Sequence, residues 1–190
     1  NGQVYLWSIE KKYQLEKIEK TFSATAIQFY DQGRKIAVGS YGIDFWDIEK
    51  KERLERKRGP REIVSLAVSE DDTQIASAGF DKTAYLYGLK DYDKITEVRH
   101  PNWMMEYEER GEKGIDTIVV AMALTKVGFV EDRIVTSGAD QSLRVWKDDL
   151  KILEKTLVGH QASIASFDIS PDKKKIASVD LQGNIRFWNL

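Results

Sequence analysis

The chain has 190 residues, 42% of them hydrophobic and 32% charged, with a net charge of −2 from 29 basic and 31 acidic side chains. That composition excludes a disordered polar chain, and the near balance of charge gives no general attraction to nucleic acid or to an anionic membrane. With no cysteine, disulfides, zinc–thiolate sites and thiol catalysis are excluded, and no apolar run approaches the ~18 residues that cross a bilayer.

Taken in chain order, the predicted elements recur. The alternating run Val4-Tyr5-Leu6-Trp7 ends on a tryptophan and is followed by the charged run Gln14 to Ile18. Then come Ala26-Ile27-Gln28-Phe29, a turn at Asp31-Gln32-Gly33, the small-residue string Lys35 to Ser40, the run Ile43-Asp44-Phe45-Trp46 and the charged run Glu52 to Arg56. The same order returns as Val64 to Val68, a turn at Glu70-Asp71-Asp72, Gln74 to Gly79, Ala84-Tyr85-Leu86-Tyr87 and Lys94 to Val98. It returns again as Ile118 to Met122, Arg133 to Gly138, Leu143-Arg144-Val145-Trp146 and Lys151 to Lys155. The last copy is Ile164 to Ile169, a turn at Ser170-Pro171-Asp172-Lys173, Lys175 to Val179 and Ile185-Arg186-Phe187-Trp188.

The aromatics that close the alternating runs are Trp7, Trp46, Tyr87, Trp146 and Trp188, spaced by 39, 41, 59 and 42 residues. Three of the four spacings fit the ~40–45 residues of a four-stranded blade, and the long one predicts an insertion. Small residues in the second strand suit a sheet buried on both faces, and alternating charge suits an outer edge. The expected fold class is therefore all-β, a propeller of four-stranded antiparallel blades. The chain divides into a partial blade at 1–20, blades at about 21–58, 59–99 and 114–158, a last partial blade at 159–190, and an insertion at about 100–114. The two partial blades lead us to expect an excerpt of a larger ring, with a small ring closed by its own ends as the alternative. The first residue is Asn1 rather than Met, which fits a start further upstream.

These residues resemble the WD-repeat β-propeller family. Its pattern is a Gly-His pair, a Ser or Thr, an Asp six residues before a Trp, and an Asp after the Trp. The last repeat offers Gly159-His160, Ser178 and Trp188, with Gln182 where Asp is usual. The preceding repeat offers His100, Thr136, Asp140 and Trp146, and the one before it Ser77 and Asp81, with Tyr87 for Trp. Only Trp46-Asp47 is a literal Trp-Asp pair. The resemblance implies a structural hydrogen-bond network of His100, Thr136, Asp140, Trp146, His160, Ser178, Trp188, Ser77 and Asp81, a ring typically of seven blades, and partner docking on the face that carries the outer-to-inner loops.

Two such loops stand out. Arg56, Lys57, Arg58 and Arg61 surround Gly59-Pro60 and suit phosphate, RNA or an acidic peptide, or form a solvated turn. The insertion from His100 to Gly114 places Trp103, Met104, Met105 and Tyr107 in a loop, either as an interface or as a local plug. Its Glu106, Glu108, Glu109 and Glu112 would neutralise the basic loop if the two are adjacent. No phosphate loop, zinc-binding helix or nucleophile elbow occurs, and no metal or cofactor is expected. Asp44 and Asp168 lie within alternating strand runs, positions that suit a buried or channel-facing pair. The expectation is a non-enzymatic, cytoplasmic protein-interaction scaffold, part of a multi-protein assembly and not inserted in a membrane. The alternatives are a peptide- or substrate-recognition module on a larger enzyme complex and an RNA-binding propeller, the last disfavoured by charge.

Overall fold

A computed structural model describes residues 4–7, 15–18, 23–59, 62–100, 104–111, 114–121 and 123–190. Its strands are β1 (Val4–Trp7), β2 (Leu15–Ile18), β3 (Ala26–Tyr30), β4 (Lys35–Gly39), β5 (Ile43–Asp47), β6 (Glu52–Lys57), β7 (Ile63–Val68), β8 (Gln74–Gly79), β9 (Thr83–Gly88) and β10 (Lys94–Arg99). They continue as β11 (Met104–Gly111), β12 (Gly114–Ala121), β13 (Leu124–Val130), β14 (Arg133–Gly138), β15 (Ser142–Lys147), β16 (Ile152–Val158), β17 (Ile164–Ile169), β18 (Lys175–Asp180) and β19 (Ile185–Asn189).

Three antiparallel sheets have four strands in sequence order: β3–β6 (blade I), β7–β10 (blade II) and β13–β16 (blade III). Strands β17–β19 form a three-stranded blade IV, and β1–β2 form a two-stranded sheet. The inner strands β3, β7, β13 and β17 neighbour one another in chain order. The core lies between blades. Ile43 and Phe45 of blade I meet Ile63 and Leu66 of blade II, Ala84 and Leu86 meet Leu124 and Val127, and Leu143 and Val145 meet Ile164 and Phe167. Each middle strand is thus covered on both faces, which explains the small residues of β8, where Ala76, Ser77 and Ala78 are fully buried. Outer strands β6, β10 and β16 are largely exposed and charged, an arrangement that discourages edge-to-edge pairing.

The 59-residue spacing has a different cause from the expected loop. Residues 104–111 and 114–121 pair as a β-hairpin, with Met105 opposite Val120 and Tyr107 opposite Ile118. The inner strand of blade III is Leu124–Val130, not Ile118 to Met122, so this sheet begins at 124 rather than near 114. Ile118-Val119-Val120 is β-branched and reads equally well as either kind of strand. The true inner strand is masked in the sequence by Lys126 and Gly128. A Cβ at Gly128 would lie 3.2 Å from the Phe167 ring, a tight fit that glycine relieves. Lys126 turns its ammonium to the Phe167 carbonyl, 2.6 Å away, and over that ring. Strands β7, β13 and β17 share a register shift just after their first residue, so each begins with one apolar residue, Ile63, Leu124 or Ile164, sunk in the core.

Candidate functional site

Two buried hydrogen-bond networks repeat in blades III and IV. In blade IV, His160 Nε2 lies 2.7 Å from Ser178 Oγ and His160 Nδ1 lies 2.9 Å from Asp180 Oδ2. Trp188 Nε1 donates to Ser178 Oγ at 2.8 Å. In blade III, His100 Nε2 lies 2.8 Å from Thr136 Oγ1, which also accepts Trp146 Nε1 at 2.8 Å. There the other imidazole nitrogen meets Arg144, whose guanidinium is 2.5 Å from His100 Nδ1 and 2.6 Å from Asp140 Oδ2.

The carboxylate of blade IV comes from an unexpected position. Gln182 occupies the place where the repeat pattern has Asp, but Asp180, two residues earlier, reaches His160. Its Oδ1 accepts the backbone N–H groups of Gln182 and Asn184 at 3.0 and 2.9 Å. Burial raises the Asp180 pKa, but the bonds from His160 and Asn184 outweigh it and bring the group down to about 2. In blade III burial likewise opposes ionisation of Asp140, and His100, Arg144 and Ser142 hold its carboxyl well below the usual range. Burial lowers the pKa of His100; Asp140 opposes this, and the Arg144 charge lowers it further.

Ser178, His160 and Asp180 have the connectivity of an acyl-transfer relay, yet the chemistry is closed to them. Both His160 and Asp180 side chains are fully buried, and the Ser178 oxygen is already an acceptor for the Trp188 indole. A nucleophile needs room for an electrophile beside its oxygen, and Ser178, 2% exposed, offers none. These residues tie a loop to two strands instead.

Among the described residues, blades I and II lack the network. Trp46 keeps the indole, but Val38 stands where Thr136 and Ser178 stand, and Trp46 Nε1 has no hydrogen-bond partner among the described residues. Ser77 keeps the hydroxyl, but Tyr87 replaces the tryptophan and sends its O–H to the Arg58 carbonyl at 3.1 Å. Ser77 Oγ is therefore buried without a partner among the described residues. Asp81 accepts the Thr83 N–H at 3.0 Å in its own turn.

Asp44 and Asp168 do not converge. Asp44 is buried in β5 between the guanidinium groups of Arg53 at 3.3 Å and Arg56 at 3.8 Å. Asp168 is exposed on β17, in a pocket of about 390 Å³ lined also by Gln28, Lys126 and Phe129. A second cleft of about 440 Å³ between blades II and III is lined by Glu70, Asp71, Glu131, Asp132 and Asp149. Among the described residues no group of three or more His, Asp or Glu side chains is placed to hold a metal, and no helix is long and apolar enough to cross a membrane.

The basic loop is partly consumed internally. Arg56 faces Asp44, and Lys57 Nζ lies 3.4 Å from Asp93 of blade II. These acids are the partners seen for the loop cations among the described residues, and the side chains of Glu106, Glu108, Glu109 and Glu112 lie outside them. Arg58 is exposed. Arg61 and Trp103 lie outside the described residues, while Met104, Met105 and Tyr107 fall in β11 of the hairpin rather than in a loop. The turns between second and third strands carry a feature that the repeat pattern conceals. Tyr41 is 64% exposed, Phe80 54% and Leu181 73%, each in that turn of its own blade. Gly, Ser and Asp around them mark only a turn, so periodicity gives no reason to single them out.

Comparison with known proteins matches residues 52–88 and 151–189 to the family model described as WD domain, G-beta repeat. Ribosome biogenesis protein YTM1 of Kluyveromyces lactis is 30% identical over 118 residues, 55% of this chain and 24% of that protein. A guanine nucleotide-binding protein subunit beta-like protein of Encephalitozoon cuniculi is 25% identical over 146 residues, 76% of this chain and 39% of that protein. The DENN domain and WD repeat-containing protein SCD1 of Arabidopsis thaliana is 23% identical over 127 residues, 66% of this chain and 9% of that protein. The chain thus spans well under half the length of each of these relatives.

Proposed function

Because the chain belongs to the WD-repeat family, we propose that it is a protein–protein interaction scaffold, a propeller subunit that docks partners through the loop face of its blades in a multi-protein assembly. The observation that carries this reading is the trio Tyr41, Phe80 and Leu181. Three of four blades place a large apolar side chain, more than half exposed, in the turn between the second and third strands. Large aromatic and aliphatic groups raised on rigid turns are what an interface core requires. The relay-like residues of blades III and IV support the same reading, since burial removes them from catalysis. A peptide-recognition module attached to a larger complex would use the same face.

The test compares two faces of the tagged full chain. Tyr41→Ala, Phe80→Ala and Leu181→Ala are combined in one variant. Glu70→Gln and Asp71→Asn, in the turn at the opposite end of the strands, form the control. Partners captured after crosslinking are quantified by mass spectrometry. Loss of partners in the first variant alone, with far-UV circular dichroism unchanged, is expected. Retention of the full partner set by the folded first variant overturns the reading.

A further inference from the structure

We infer that the loop face between blades I and II receives an extended acidic peptide bearing apolar side chains, with Arg58 meeting its carboxylates and Tyr41 and Phe80 flanking the cation. This rests on the docking reading above and names the partner's chemistry.

Three chain segments converge there. The Ile63 N–H donates to the Ser40 carbonyl at 2.8 Å, joining the β4–β5 turn to the start of β7. A Cβ on Gly59 would lie 3.5 Å from Gly42 Cα, and one on Gly42 would lie 2.5 Å from the Lys57 carbonyl oxygen, so the β4–β5 turn and the β6–β7 loop are in direct contact. The Phe80 N–H donates to the Glu62 carbonyl at 3.1 Å, which brings the β8–β9 turn to the other side of the same loop. Two exposed aromatics therefore bracket one loop. In the sequence Tyr41, Arg58 and Phe80 are 17 and 22 residues apart, and the basic run shows no aromatic beside it.

Among the described cations of that loop, Arg58 is the one left for a partner. Arg56 and Lys57 are engaged by Asp44 and Asp93. The Arg58 guanidinium has no carboxylate within ion-pair distance among the described residues, while its backbone is pinned by the Tyr87 hydroxyl. A cation on a backbone already fixed loses less freedom on binding. Of the nearby acids, Asp81 is drawn into its own turn by the Thr83 N–H. An arginine between two aromatics suits carboxylates spaced by apolar side chains. It suits a nucleic acid less, because that affinity comes from many phosphate contacts along a row of cations. Here two of the three described cations are already paired.

The test is fluorescence anisotropy of the full chain with a short fluorescein-labelled peptide in which glutamates alternate with glycine and leucine. Its lysine counterpart and a labelled oligouridylate of equal length serve as competitors in class. The glutamate peptide is expected to bind saturably, the lysine peptide and the oligouridylate about tenfold more weakly or less. Arg58→Glu should weaken the glutamate peptide about tenfold, and Tyr41→Ala and Phe80→Ala each several-fold, with unchanged circular dichroism. Equal binding by Arg58→Glu, tighter binding of the oligouridylate, or no binding of the glutamate peptide overturns the assignment. In each case the docking reading still stands if the combined loop-face variant loses its captured partners, and it falls only if that variant keeps them.

Discussion

His100 and His160 occupy matching places in successive blades and carry their protons on opposite nitrogens. The Arg144 guanidinium can only donate, so His100 Nδ1 accepts from it and Nε2–H donates to Thr136 Oγ1. The Asp180 carboxylate can only accept, so His160 donates from Nδ1, and its Nε2 accepts the Ser178 hydroxyl proton. Nitrogen-15 NMR of the imidazoles should show one Nε2–H and one Nδ1–H form. Replacing Arg144 with leucine should change the pattern of His100 and leave that of His160. A single shared tautomer in the unaltered protein would refute the assignment.

Much of this could be read from the sequence, and the exceptions are instructive. The aromatic period located every four-stranded sheet because each tryptophan or tyrosine pairs with the same apolar residue of the second strand: Trp46 with Ile36, Tyr87 with Ile75, Trp146 with Ile134, Trp188 with Ile176. His100, Thr136 and Trp146 were visible as polar residues at fixed offsets. Asp180 was not, because a side chain can reach a shared hydrogen-bond site from a position two residues away. The inner strand β13 was missed because its Lys126 and Gly128 serve neighbouring elements, which no local pattern records. Tyr41, Arg58 and Phe80 become one surface only after three loops are brought together.

Acid should weaken the fold in two stages. The folded pKa of His100 is lowered from 6.5, so the unfolded chain binds this proton more tightly. Its contribution is fully present above about 6.5 and declines as the pH falls below it. Asp180 is lowered from 3.8 to about 2, so its contribution holds above 3.8 and is lost between the two. Urea midpoints measured from pH 8 to pH 3 should fall first below 6.5 and again below 4. In His100→Gln the first decline should shrink. A midpoint that rises on going from pH 7.5 to 5.5 would contradict this sign.

The incomplete networks of blades I and II should be repairable. Val38→Thr would place a hydroxyl beside Trp46 Nε1, as Thr136 does beside Trp146, and is expected to stabilise by about 1 kcal/mol. Ser77→Ala would remove a buried hydroxyl that has no partner among the described residues, with a gain of about 1 kcal/mol. Each should raise the urea midpoint. A lower midpoint in both would show that the orphan groups are satisfied by internal water.

Gly39 and Ile63 meet at a tight seam between blades I and II. A Cβ at Gly39 would lie 2.7 Å from Ile63 Cγ2 and 3.1 Å from its Cβ, and Ile63 is fully buried between Ile43, Phe45 and Leu66. The isoleucine cannot retreat without disturbing that cluster, so Gly39→Ala should cost about 1–3 kcal/mol. Ile63→Ala alone opens a cavity and should cost about 2–5 kcal/mol. In the double variant the alanine methyl finds the space that Ile63 vacated. The two costs should then fall short of adding by about 1 kcal/mol or more, a coupling that a double-mutant cycle in urea measures directly. Strict additivity would mean that the clash is relieved by a shift of β4 rather than held by Ile63.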